Sequence, residues 1–370
     1  MTLSLYFDFL KYCLGNKVDM SSIVVKMNWQ QLFAFVQKQT IIGICLDGIE
    51  RLGREYPDEI KKNPIKVDLL QAWICKGLQI RKQNIRVNAV ATSLYSQLRK
   101  DGLRCCVLKG QGNALMYPNP YERTSGDIDI WVNASRQQII DYAKKNFVVN
   151  KDIRYQHIET TLDNVPVELH FVASMMNNPI YNYRLQKWLK QNIDLQCSNI
   201  VQLPDGLGEI AVPTATFNVI YQLCHLHQHF FDEGIGMRQM IDYYYVLMSP
   251  SLNDTNITVL QRDLKRLGLW HFAGAVMYAL YEVLGLTEWK MIAPMDAKRG
   301  KLLLSEILDG GNFGKHATKY GHFTQQGTAK KYFLKIWRNM HFVRYYPAEA
   351  LCEPIFRTWH FFWRLSTKNH

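Results

Sequence analysis

Asp127 and Asp129 stand one residue apart in Gly126-Asp127-Ile128-Asp129-Ile130, and a third carboxylate follows in Val167-Glu168-Leu169. In an extended strand, residues i and i+2 point to one face, so the two aspartates would stand side by side. Unpaired carboxylates that close repel each other, and a cation between them relieves the repulsion. Magnesium takes oxygen ligands of this kind. Two such ions, about 4 Å apart, neutralise a polyphosphate and lower the pKa of an attacking hydroxyl. The chemistry open to this set is therefore metal-assisted phosphoryl or nucleotidyl transfer, with Asp127 and Asp129 binding both ions. Glu168 is the expected third ligand and can take the proton of the hydroxyl.

Cations lie upstream. Lys109 can neutralise phosphate, and Gly110 lets backbone amides approach phosphate oxygens. Arg123, four residues before Asp127, adds a second cation. An isolated Asp-x-Asp also occurs on solvated strand faces and in turns. What carries the catalytic reading is the order: strand, Lys-Gly, short helix, Arg, Asp-x-Asp on a strand, then Val-Glu-Leu.

The elements that must position these residues can be read from periodicity. Apolar residues recur at three- and four-residue spacing through Leu70, Trp73, Ile74, Leu78 and Ile80, then Val87, Val90, Leu94 and Leu98. They predict a helix that stops at Asp101-Gly102. Cys105-Cys106-Val107-Leu108 reads as a short buried strand, followed by a short helix at 114–116 that Pro118 and Pro120 end. Residues 127–132 alternate as a strand with one wet face. Ser135 caps a helix to about residue 145. Residues 155–162 and 165–172 flank Asp163-Asn164 as a β-hairpin. After the Pro204-Asp205-Gly206 loop, helices are expected from Pro213-Thr214-Ala215 and at 238–248, 259–267, 273–284 and 302–308. A flexible stretch at 310–327 and an aromatic, basic segment at 330–368 close the chain.

Composition sets the frame. The 370 residues are 48% hydrophobic, enough for packed cores. A net charge of +12 suits a polyanionic ligand without choosing among nucleotide, nucleic acid and anionic surface. Eight scattered cysteines without a CxxC pair point to reduced thiols in a cytoplasm. The start, with Asp8 and Lys11 and no small-residue cleavage site, does not read as a signal peptide. The apolar run from Trp270 to Leu286, interrupted by His271 and Glu282, reads as a core helix, so no membrane partner is expected. P-loop, GxGxxG, GxSxG and HExxH motifs are absent, which removes the entry residues of several other enzyme classes.

The run Leu108-Lys109-Gly110 through Arg123-Thr124-Ser125-Gly126-Asp127-Ile128-Asp129-Ile130 resembles the bacterial uncharacterised nucleotidyltransferase family of the DNA polymerase β superfamily. It is also similar to the abortive-infection toxin nucleotidyltransferases. The likeness continues at Val167-Glu168-Leu169-His170-Phe171, from His225 to Asp242 and at Arg344-Tyr345-Tyr346-Pro347, and so covers most of the chain from about residue 80. Where many superfamily members have Gly-Ser, this chain has Lys109-Gly110, so a serine contact to phosphate is missing. The resemblance implies an α+β fold: a polymerase β-type core with a small mixed sheet, flanked by N-terminal and C-terminal helical regions. The divisions expected are 1–79, 80–202 and 203–370. It implies two Mg²⁺ ions and transfer of a nucleoside monophosphate from an NTP to a hydroxyl, with release of pyrophosphate. Lys109, Gly110, Arg123 and Ser125 would hold the nucleotide. The acceptor (small molecule, sugar, protein or tRNA) is not implied, nor is the oligomeric state.

Several histidines have competing readings. Of His225-x-His227-x-His229, only His225 and His229 share a helix face, and no third ligand has a fixed spacing for zinc. By resemblance, His225, His229, Arg238 and Asp242 face the cleft as an acceptor site; packing explains them equally well. His157 and His170 share the hairpin with Glu168 and join the acceptor set; His170, two residues on and so on the same face, could touch substrate or orient the carboxylate, and a plain half-buried histidine reads equally well. The aromatics and cations of 330–368 could bind single-stranded nucleic acid, but an amphipathic helix pair with its apolar side inward is the preferred reading. Two other classes remain: an inactive nucleotidyltransferase fold that only binds nucleotide or nucleic acid, and an interaction module. The intact carboxylate set disfavours the inactive fold.

If Asp127 and Asp129 share cations, Asp127→Asn abolishes Mg²⁺-dependent turnover while the circular dichroism spectrum stays native. Full activity in that variant would sink the assignment.

Overall fold

The computed structural model describes residues 2–150, 153–252, 254–321 and 327–367. Helices α1 (Thr2–Cys13), α2 (Ser21–Lys26), α3 (Trp29–Gln39), α4 (Ile42–Glu55), α5 (Pro57–Lys62) and α6 (Val67–Lys100) come first. The sheet region follows as β1 (Cys105–Leu108), α7 (Gly110–Ala114), β2 (Ile128–Val132), α8 (Arg136–Asn146), β3 (His157–Leu162) and β4 (Val165–His170). Next come α9 (Pro179–Gln196) and a ribbon of β5 (Ile200–Gln202) and β6 (Glu209–Ala211). The chain then runs through α10 (Ala215–Asp232), α11 (Met237–Met248), α12 (Asp254–Arg266), α13 (Trp270–Leu284) and α14 (Ala297–Gly310). Helices α15 (Thr328–Phe342), α16 (Pro347–Ala350) and α17 (Cys352–Thr367) complete it. This is the expected α+β architecture, a small mixed sheet with helical regions before and after it. No described helix is long and apolar enough to cross a membrane.

The sheet order is β1-β2-β4-β3; β2 and β4 run parallel and the outer pairs antiparallel. Local sequence explains several of its parts. Ser135 makes a capping box with Gln138 at the start of α8. Asp163 and Asn164 both take positive φ, 47° and 61°, as the two-residue turn of a tight hairpin demands. Register then does the positioning: the β2–β4 pairing sets Asp129 beside Glu168 and Trp131 beside His170.

Alternation sends the two faces of the sheet into different cores. Ile128, Ile130 and Val132 of β2, with Val167 and Leu169 of β4, pack on Val87, Val90, Leu94 and Leu98 of α6 and Ile139 of α8. The opposite face, with Cys106, Leu108 and Trp131, joins Phe217 and Tyr221 of α10. Asp129, Glu168 and His170 alternate with that first apolar set and so face α10. The expected boundary at 79/80 falls inside α6, a rod of about 50 Å. Leu69 and Trp73 of α6 belong to the helical core, while its second half lies under the sheet. The N-terminal and C-terminal helices share one core. Buried Gln39 of α3 donates to Ile307 O (3.0 Å) and accepts from Met237 N (2.9 Å), fixing the start of α11.

Several details differ from the expected elements. The short helix expected at 114–116 lies earlier, as α7. Helix α9 has no counterpart among the expected elements, although Asn178 caps it and Pro179 occupies its first turn; its interleaved polar residues blur the apolar period. In the stretch 310–327, expected to be flexible, Asp309 Oδ2 accepts from Thr318 N and Lys319 N, both at 3.1 Å. Residues 322–326 of that stretch and 368 of the closing segment lie outside the described residues. In the closing helices Phe342 and Tyr346 turn inward, whereas Phe333, Trp337, Phe361 and Phe362 are exposed. Several cations there are structural: Lys335 and Arg357 both contact Asp232 Oδ1, at 2.7 and 2.8 Å.

Two contacts seat the loop that carries Arg123. Asn84 of α6 donates to Tyr121 O (3.2 Å) and Arg123 O (2.8 Å). Gly43 of α4 meets the same loop, where an added Cβ would collide with the Glu122 carbonyl. Gly43→Ala is expected to cost about 1–3 kcal/mol in urea unfolding, through overpacking against backbone that cannot yield. An unchanged midpoint would mean that the loop gives way freely at this contact.

Candidate active site

Asp127 sits just before β2 at the exposed mouth, Asp129 is buried on β2 and Glu168 is half-buried on β4. One carboxylate oxygen from each lies within 4.8 Å of the other two. The sheet register therefore brings together the three carboxylates that the sequence singled out. All offer hard oxygen donors, which fits a divalent cation such as magnesium.

Two cations answer this charge from the protein itself. Lys109 Nζ lies 3.0 Å from Asp129 Oδ2. The lysine directly follows β1 with φ 51° and Gly110 comes next with φ 43°, a turn from which the ammonium reaches Asp129 on the neighbouring strand. His170 Nε2 lies 2.9 Å from Asp129 Oδ1 and 3.1 Å from Glu168 Oε2, while Nδ1 faces Val172 O at 3.2 Å. Both ring nitrogens thus point at acceptors, the pattern of an imidazolium. Burial works against that charge, but the hydrogen bonds to Asp129 and Glu168 prevail and raise the pKa to about 9. For Asp129, burial alone would raise the pKa. Lys109 and His170 outweigh it and hold the carboxyl well below the usual range.

Asp127 makes no ion pair among the described residues, and the charge of Lys109 relieves it only in part. The charge of Asp129 first, then burial, pushes its pKa up to about 6. A carboxylate strained by its neighbour's charge is what a bound cation would relax.

The remaining candidates fall into distinct places. His157 Nδ1 is 3.2 Å from Glu168 Oε2, and its Nε2 is 3.3 Å from Glu159 Oε1. His157, Glu168 and His170 form a second group whose ligand atoms lie within 4.8 Å of one another, though a charged His170 opposes metal there. His225 of α10 has its Nε2 3.5 Å from Lys109 Nζ; burial and then the lysine's charge hold it neutral, as an acceptor. His229 packs edge-on to His225 at 4.3 Å. His227 turns away among Phe231 and Phe272, so the three histidines of α10 do not converge.

Arg123 is engaged. Its Nε and Nη2 donate to the two oxygens of Asp242, at 2.7 and 2.8 Å, and Tyr117 adds a hydrogen bond at 2.6 Å. Asp242, expected to face an acceptor, is thus occupied in holding Arg123; any phosphate contact by Arg123 rests on Nη1. The buried Ser125 hydroxyl makes no hydrogen bond within the described residues. Arg238 donates through Nη1 to Thr124 O at 2.9 Å.

One pocket joins these parts. Its lining includes Lys109, Gly110, Asp127 and Asp129 on the sheet side, and Gln222, His225, Arg238, Gln239 and Phe313 opposite. The sequence reading missed Gln222, Gln239 and Phe313. Gln222 lies three residues before His225 and Gln239 three before Asp242, so helical spacing offered a signal for the glutamines. Phe313 arrives from a distant loop and offered none.

The sequence model of a family described as uncharacterised nucleotidyltransferase matches residues 26–285 of this chain. Among solved structures, the chain is similar to the crystal structure of an antigenic nucleotidyltransferase-like protein from Paracoccidioides brasiliensis. That likeness has 15% identity and a TM-score of 0.31, over 50% of this chain and 92% of that one. No curated protein matches the chain in sequence.

The raised pKa of Asp127 sets a pH signature in the metal-free protein. The folded chain keeps this proton up to about pH 6, the unfolded chain only to about pH 4. Stability is therefore lost as pH rises between those values, and the penalty is complete above the upper one. Asp127→Asn should raise the melting temperature at pH 7.5, with the gain fading towards pH 4. Calorimetry that finds an equal gain at both ends would assign the effect to something other than this carboxyl.

Proposed function

We propose, on the premise that the chain belongs to the uncharacterised nucleotidyltransferase family, that it is a Mg²⁺-dependent enzyme. It moves a nucleoside monophosphate from an NTP to a hydroxyl acceptor. The observation that carries this reading is the convergence of Asp127, Asp129 and Glu168 within 4.8 Å, with both aspartates lining the pocket. In the balanced step, the acceptor oxygen attacks the α-phosphorus, the bond to the β-phosphate breaks, and pyrophosphate leaves. Asp127, Asp129 and Glu168 would hold two Mg²⁺ ions, which supply charge neutralisation at the triphosphate and acidify the hydroxyl.

The chain's own residues then have separate tasks. Glu168 is the half-buried carboxylate able to accept the hydroxyl proton. Lys109, held by Asp129 and neutral His225, keeps a compact positive charge beside the reacting phosphate. Arg123 fixes the loop before Asp127 through Asp242. The scattered cysteines support a reducing cytoplasm as the compartment. A second reading draws on Lys109 and His170, which already balance part of the carboxylate charge: an inactive fold that binds nucleotide or nucleic acid.

Incubation with α-labelled NTPs, Mg²⁺ and a cell extract tests the two. The enzyme reading expects label in an acceptor and release of pyrophosphate; binding without turnover under these conditions would favour the second. Lys109→Ala is expected to lower kcat/KM for the NTP by about two orders of magnitude, about 3 kcal/mol. Unchanged NTP kinetics would make the lysine purely structural.

A further inference from the structure

The wall of the pocket opposite the carboxylates holds hydrogen-bond donors that the protein does not use. Gln222 and Gln239 are 4% and 6% exposed, and the Nε2 of each is buried without a partner among the described residues. Arg238 Nε and Arg123 Nη1 are in the same condition. All four residues line the one pocket. A buried donor left unsatisfied costs about 1–3 kcal/mol, so four in one pocket, three on α10 and α11 and one on the loop before β2, suit a ligand rich in acceptors.

The orientation of this wall is built in. Gln239 Oε1 accepts from Gly236 N at 2.9 Å, which fixes the amide so that Nε2 is its free end. Arg238 is held by Thr124 O at 2.9 Å, and its guanidinium lies 5.6 Å from the ring centroid of Phe313. Phe313 is itself set by a loop packed so closely that a Cβ on Gly236 would stand 2.8 Å from Asn312 Cα. Arg238 and Gln239 also occupy the first turn of α11, whose dipole favours negative charge.

Charge separates the cations of the pocket. Lys109 is paired with Asp129 and Arg123 with Asp242. Arg238 forms no ion pair with a carboxylate among the described residues. Donors without acceptors, and one uncompensated guanidinium, fit an anion made of acceptor oxygens.

We infer that Gln222, Arg238 and Gln239, with Nη1 of Arg123, form the seat of the β- and γ-phosphates of the NTP, and that Arg238 supplies its charge. This rests on the nucleotidyltransferase reading and assigns the phosphate tail to the helical wall rather than to the Lys-Gly turn. The pocket is then bipolar: carboxylates at the reacting phosphate, donors at the leaving pyrophosphate. Phe313 is a positioning residue that acts through Arg238.

Inorganic tripolyphosphate, titrated calorimetrically into metal-free protein, tests this without turnover. The wild type should bind it; Arg238→Met and the volume-conserving Gln222→Leu should each weaken binding tenfold or more, with native melting curves. Both variants should weaken Mg·NTP binding similarly and leave NMP binding within twofold. Wild-type affinity of both variants for tripolyphosphate and NTP would overturn the inference while leaving the nucleotide reading intact. Equal loss of adenosine and NTP binding would overturn it too, because the wall would then hold the nucleoside. A wild type that binds neither tripolyphosphate nor NTP, with or without Mg²⁺, would sink both.

Discussion

Three carboxylates within 4.8 Å of one another at the end of a largely buried sheet cannot all stay charged unless something balances them. Much of what surrounds the site answers that constraint. The parallel register of β2 and β4 creates the problem by placing Asp129 beside Glu168. Lys109 and His170 answer it from either side of Asp129, and neutral His225 gives the lysine an acceptor without adding charge. Asp127, which makes no ion pair with either cation, keeps the residual repulsion. The protein has therefore balanced its innermost carboxylate and left the outermost poised for an external cation.

A second charge problem is solved apart from the first. Arg123 is buried close to the carboxylates, yet its bidentate contact is with Asp242 from α11, reinforced by Tyr117. Breaking such a buried pair leaves an uncompensated charge, so the pair ties the β2 loop firmly to the C-terminal helices. Arg238 on the same helix is thereby left without a carboxylate. The separation of a metal-fitting wall from a donor wall follows from how these arginines are partnered.

The helical regions act as one frame around the sheet. The second half of α6 lies under one face of the sheet, and its first half enters the helical core, while α10 covers the other face. Gln39 then reaches from α3 to α14 and to the start of α11. The pocket thus sits where two rigid supports meet, one carrying the carboxylates and the other the donors.

The local signals in the sequence are strong where one short segment decides the outcome. The strand at 105–108, the cap at Ser135, the Asp163-Asn164 turn and the i, i+2 spacing of Asp127 and Asp129 all depend on neighbours in the chain. The candidate carboxylates are therefore legible from residue type and spacing alone. Helix α9 and the β5–β6 ribbon escape such a reading because polar interleaving and three-residue strands leave little periodicity. Partnerships escape it for a deeper reason. Whether Arg123 faces a phosphate or Asp242, whether Lys109 stands free or on Asp129, and whether Phe313 reaches the pocket depend on residues far apart in sequence meeting in space. Residue type fixes which charges and donors the chain carries; only tertiary packing decides which satisfy one another and which remain open to a ligand.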